Sequence, residues 1–190
     1  MGMKPRVCGQ ADLALLGIEM KVIFVRHGEP DYSELEERSY TGFGLDLAPL
    51  SEQGRLQAQE LCQHPLLRSA DLLVSSAVTR ALETASYVAC ATGLPLRVEP
   101  LLHEWQVYER GRENFEKARS LFLESNGELL PNSPLQYETA EEMKARFVDC
   151  MAKYRDYQTV ALVAHRMLIR QFVPNETIDF CQVIECEIEI

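Results

Sequence analysis

Residues 21–30 read KVIFVRHGEP, and the fold follows from this stretch. KVIFV, at residues 21–25, is a short β-branched and aromatic run, the composition of a buried strand. It stops at Arg26-His27-Gly28-Glu29-Pro30, a basic pair followed by turn formers. Downstream, residues 31–49 hold Asp31, Ser33, Gly42, Gly44 and Asp46, and read as a long loop of the kind that serves function or moves.

Strands and helices then alternate. Ser51 reads as an N-cap, with Glu52 in the first turn and a helical pattern through Leu56, Ala58 and Leu61. DLLVS at residues 71–75 is a second strand. A helix follows over residues 77–92, with apolar Ala81, Leu82, Ala85, Val88 and Ala89, until Gly93 and Pro95 stop it. A short strand at residues 96–98 and a helix at residues 113–125 come next. Thr139 and Glu142 form a capping box that opens a helix running to about Tyr157. TVALVA at residues 159–164 is a further strong strand, ended by His165. From Val183 to Ile190, Cys186, Ile188 and Ile190 alternate with Glu185, Glu187 and Glu189, which predicts a half-buried strand at a sheet edge. The expectation is an α/β fold: a three-layer α/β/α sandwich with a mostly parallel central sheet. One domain covers residues 21–190. Residues 1–20 read as an N-terminal appendage, and Met20 stands as a second candidate start.

Composition narrows the function classes. The chain has 190 residues, 46% hydrophobic and 25% charged, which suits one compact domain. A net charge of −10 opposes nucleic acid as a partner, because backbone phosphates are met by basic surfaces. No apolar run approaches the roughly 20 residues that span a bilayer, so no membrane partner is expected. The six cysteines (Cys8, Cys62, Cys90, Cys150, Cys181, Cys186) form no CxxC pair and are read as reduced thiols in a cytoplasmic protein. His103-Glu104 is no zinc motif, since the second histidine of HExxH falls on Val107, and no metal or cofactor is expected. His64 and His103 read as ordinary histidines. Oligomeric state is left open.

In parallel sheets ligands bind beyond the carboxyl ends of the strands. Arg26 and His27 follow one strand, Arg80 sits near the start of the helix after the next, Glu104 comes after the third, and His165 closes the fourth. A helix N-terminus and two guanidinium groups suit an anion. With VRHGEP, LSEQGRLQA, SSAVTRALETA, LLHEW and LVAHRMLIR in this order, residues 21 to about 190 resemble the histidine phosphatase superfamily, also called the phosphoglycerate-mutase-like family. The resemblance implies a phosphoglycerate-mutase-like fold and hydrolysis of a small phosphorylated substrate through a phosphohistidine. It implies His27 as nucleophile, Arg26, Arg80 and His165 as the phosphate pocket with His165 protonated, and Glu104 as proton donor, with Glu99 and Glu109 as rivals. Two positions depart from the family pattern. Ser33 stands where relatives often carry a phosphate-binding Asn, so its hydroxyl is the candidate contact there. Arg166 replaces a small residue after the second histidine, either adding an anion contact or pointing away. Asp31, Ser33 and Tyr40 are candidate supporting or lid residues. A phosphoglycerate-type mutase and a catalytically silent phospholigand- or protein-binding module remain the alternatives. The mixed charges of residues 105–137 favour hydrolysis over the mutase.

Overall fold

A computed structural model describes residues 19–109, 112–173 and 177–190. The expected appendage, apart from Glu19 and Met20, lies outside the described residues. Strand β1 (Glu19–Arg26) begins before that boundary, because Met20 is buried and paired with Ile188. The predicted loop over residues 31–49 carries a short helix, α1 (Ser33–Glu37), and a 3-10 turn (Gly42–Leu47). Helix α2 (Glu52–Leu61) starts at Ser51, whose Oγ accepts from the Gly54 N–H at 2.9 Å. Its buried face is Gly54, Ala58 and Leu61, at i, i+4 and i+7, so Leu56 turns out to solvent.

Strand β2 (Leu72–Ser76) leads to α3 (Thr79–Thr92), which ends on Gly93 with φ +74°, the left-handed C-cap that glycine accepts without strain. Strand β3 (Leu96–Glu99), α4 (Arg112–Glu124) and α5 (Ala140–Met151) follow. The Thr139–Glu142 capping box is formed, and α5 ends sooner than expected, passing into a 3-10 turn (Ala152–Tyr154). Strand β4 (Thr159–Ala164), the one-turn helix α6 (Arg166–Ile169) and strand β5 (Val183–Glu189) complete the chain.

The strands form one sheet in the order β3-β2-β4-β1-β5. The first four are mutually parallel, and β5 runs antiparallel along the outer edge of β1. Alternation along β1 sends Val22 and Phe24 into one core, with Phe122, Met143 and Phe147 from α4 and α5. Ile23 and Val25 enter the other, with Leu61, Ala81, Ala85 and Val88 from α2 and α3. The β1–β2 and β2–β3 connections therefore lie on one face and the β3–β4 connection on the other. Such a change of face opens a crevice at the carboxyl ends of the strands. No helix among the described residues is long and apolar enough to cross a membrane.

Candidate active site

The ends of β1 and β4 are tied together: the His27 N–H donates to the Ala164 carbonyl at 3.0 Å. The turn that follows is seated by close backbone approach. A Cβ on Gly28 would stand 2.8 Å from the Gly54 carbonyl oxygen, and one on Gly54 would stand 2.1 Å from that of Glu29. The Gly28 N–H also donates to Thr84 Oγ1 at 3.0 Å, anchoring the turn to α3.

His27 is 4% exposed, and its Nδ1 lies 2.7 Å from the Gly28 carbonyl. A carbonyl only accepts, so Nδ1 carries the proton and Nε2 holds the lone pair. Arg80, 5% exposed, donates from Nε to that lone pair at 3.2 Å. Its NH2 makes a longer contact of 3.5 Å with His165 Nδ1. A guanidinium cannot accept, so His165 carries its proton on Nε2 and donates it to Ser76 Oγ at 2.8 Å. The two imidazoles stand 5.1 Å apart with Arg80 against both. Burial first, then Arg80, hold both rings well below the usual histidine range. His27 is thus neutral, as a nucleophile must be. The same two influences hold His165 towards its neutral form in the ligand-free pocket.

Arg26 donates from NH1 to the Ile178 carbonyl at 2.6 Å, and its guanidinium carbon stacks 3.8 Å over the Phe180 ring. Phe180 in turn packs beside His27, with ring centroids 5.7 Å apart. Burial and Arg166 lower Arg26 to about 10, which leaves it charged at neutral pH. Arg26 Nε and Arg80 NH1 are buried without a hydrogen-bond partner among the described residues. Unpaired donors of this kind suit an anionic ligand.

Glu104 lies within the field of Arg80, Arg26 and Arg166, and its Oε1 accepts from the Trp105 N–H at 2.9 Å. Burial raises its pKa against those opposing influences, so the protonated form persists above the ordinary glutamate range. Its rivals are engaged elsewhere. Glu99 binds Lys153 and Tyr154, and Glu109 accepts from the Gln136 N–H. The Glu104 segment is clamped by Arg146, which pairs with Glu138 through Nε (2.5 Å) and NH2 (3.1 Å) and donates to the Leu101 carbonyl at 2.5 Å. Glu138 also receives the Trp105 indole N–H on its carbonyl at 2.6 Å.

Ser33 is not joined to this group. It is exposed at the start of α1, and its hydroxyl donates to Asp31 at 2.6 Å. Tyr40 is likewise exposed. From the same connection it is Asp46 that reaches the cluster, with Oδ1 3.9 Å from Arg80 NH1. Arg166 faces inward far enough to act on both Arg26 and Glu104. Sequence reasoning missed Asp46, Phe180, Arg146 and the Ile178 carbonyl, and read His103 as an ordinary histidine; Arg146 lies in the capped helix α5, but nothing local marks which face it presents. Ser76 and Thr84 were within the quoted SSAVTRALETA block but carried no assigned role.

The model of the histidine phosphatase superfamily (branch 1) matches residues 22–175. The chain belongs to that superfamily. The chain is 27% identical over 156 residues to an adenosylcobalamin/alpha-ribazole phosphatase of Escherichia coli, covering 77% of this chain and 74% of that protein. It is also 27% identical over 139 residues to a probable phosphoglycerate mutase of Photorhabdus laumondii, covering 69% of this chain and 63% of the relative. Among solved structures, a mycobacterial glucosyl-3-phosphoglycerate phosphatase superposes with a TM-score of 0.57 at 25% identity, covering 80% of this chain and 77% of that one. The relatives thus include both phosphatases and a probable mutase.

Proposed function

We propose that this chain is a metal-independent phosphomonoesterase that hydrolyses a small phosphorylated metabolite through a phosphohistidine on His27. The observation that carries the reading is the seating of Arg80 between two buried neutral imidazoles, with His27 Nε2 unprotonated.

In the first step His27 Nε2 attacks phosphorus as the bond to the leaving oxygen breaks. Arg80 turns its donors from the imidazoles to the equatorial phosphoryl oxygens, where Arg26 joins it, because negative charge is spread there in the transition state. The phosphorylated ring bears positive charge, which the Gly28 carbonyl stabilises through Nδ1–H. Glu104 passes its proton to the leaving alkoxide. A phosphate dianion beside His165 counters the field of Arg80 and favours protonation of Nδ1, turning that lone pair into a further donor. In the second step the Glu104 carboxylate takes a proton from water, the water oxygen attacks phosphorus, and the N–P bond breaks to release inorganic phosphate and neutral His27.

The test is rapid quench of the protein with p-nitrophenyl phosphate, followed by mass analysis. An acid-labile phosphoryl adduct on His27, absent together with turnover in His27→Ala, is the expected result. Full turnover by His27→Ala refutes the proposal, and tight phosphate binding without any adduct or turnover favours a binding module.

A further inference from the structure

The rim of the phosphoryl pocket carries a charge that phosphoryl transfer does not require. Asp46 lies in the 3-10 turn Gly42–Leu47, which packs against α3, and its Oδ1 stands 3.9 Å from Arg80 NH1. Its side chain is 42% exposed, so it faces open space as well as Arg80. A carboxylate there cannot stabilise phosphoryl charge, and it weakens binding of any dianion held by the same guanidinium.

His103 ends the 3-10 turn Pro100–Leu102 directly before Glu104, and its Nδ1 lies 2.8 Å from the Glu104 carbonyl. That carbonyl only accepts, so Nδ1 carries a proton there. His103 is close enough to act electrostatically on both Asp46 and His165. The leaving alcohol has to lie beside Glu104 to receive its proton. Glu104 and Asp46 both lie within reach of the Arg80 guanidinium, so a leaving group beside Glu104 passes close to the Asp46 carboxylate.

We infer that Asp46 selects substrates whose leaving group is a neutral, hydroxyl-bearing alcohol and disfavours those carrying a carboxylate or a second phosphate beside the ester. This rests on the phosphomonoesterase reading above and gives it a substrate class. Hydroxyl groups donate to a carboxylate, whereas a second anion meets Asp46 with like charge. At a separation of about 6 Å and an effective dielectric constant of about 40, one such repulsion corresponds to about tenfold in affinity.

Glycerol 3-phosphate and 3-phosphoglycerate form a matched pair, differing only in a hydroxymethyl against a carboxylate. Phosphate release from each is measured for the wild type, Asp46→Asn and Asp46→Ser, with p-nitrophenyl phosphate as reference substrate and circular dichroism as the check on folding. A compound that is not turned over is measured as a competitive inhibitor of the aryl phosphate. The wild type is expected to favour glycerol 3-phosphate by about tenfold, chiefly in KM, and either variant to bring the pair within about twofold. A wild-type ratio near one overturns the inference. So does a preference for 3-phosphoglycerate, the outcome if Arg166 recruits an anionic leaving group, or a ratio unchanged in a folded variant. Should a variant fail to fold, the wild-type ratio decides. Aryl phosphate turnover with an unchanged ratio removes this inference alone, whereas a wild type inert on all three compounds removes the phosphomonoesterase reading and this inference with it.

Discussion

Replacing Arg80 by methionine separates what that residue does for catalysis from what it does for stability. Arg80 is 5% exposed, one of its terminal nitrogens has no hydrogen-bond partner among the described residues, and its carboxylate neighbour Asp46 is 3.9 Å away and 42% exposed. A buried charge so weakly compensated adds little to folding. An apolar residue of similar length is typically neutral or stabilising by about 1–4 kcal/mol. Some of that gain is lost where the two imidazoles surrender their contacts with Arg80, so a change between about 0 and 2 kcal/mol towards greater stability is expected. Turnover moves the other way. Loss of one donor to developing charge costs about 10²–10³ in rate, and a guanidinium fork supplies up to two, so Arg80→Met should lose at least about 10³ in kcat. Arg80→Lys keeps the charge but not the fork and should lose about 10². Arg80 also depresses His27 and His165, second only to burial, so its removal raises both and moves the acid limb of kcat/KM to higher pH. Steady-state kinetics on p-nitrophenyl phosphate across pH, beside urea unfolding, provide the assay. A variant that loses stability in step with activity, or keeps activity within tenfold, refutes the reasoning.

Other expectations follow from the same geometry. Burial raises Glu104 and lowers His27, so kcat/KM should climb as His27 loses its proton below the usual histidine range and fall again as Glu104 ionises above the usual glutamate range. Glu104→Gln should abolish the alkaline fall and lower kcat/KM for alkyl phosphates by about 10²–10⁴ while sparing kcat/KM for aryl phosphates, whose leaving group needs little protonation; kcat should fall for both, because hydrolysis of the phosphohistidine also uses this carboxylate. An alkaline limb that survives in this variant assigns the proton to another group. Gly54→Ala places a methyl 2.1 Å from the Glu29 carbonyl oxygen. Overpacking of that kind should cost about 1–3 kcal/mol and displace the His27 turn, visible as a lower urea midpoint together with lower kcat. An unchanged midpoint and rate would show that the turn is seated by other contacts.

Much of the architecture was legible because the relevant forces are local. The β-branched runs at residues 21–25 and 159–164, the caps at Ser51 and Thr139, and the stop at Gly93 act through neighbours within a few residues, and each lies in the expected kind of element. Leu56 was misplaced because a count of apolar residues ignored their angle around α2. Ser33 was carried over by position in a motif, and nothing in its local sequence announced that its hydroxyl would turn to Asp31.

By itself the sequence determined an alternating α/β chain that ends its strands on Arg26-His27, on the block holding Arg80, and on His165. Tertiary structure alone decided that Arg80 meets His27 across 53 residues and His165 across 85, and that Arg26 meets Ile178 across 152. It also decided that Asp46 joins the pocket from the connection in which Ser33 was expected to do so, and that burial beside Arg80 lowers the proton affinity of His165. Secondary structure is set by backbone and side-chain contacts a turn apart. A proton's affinity depends on burial and on charges arriving through space, and neither exists until the chain has closed on itself.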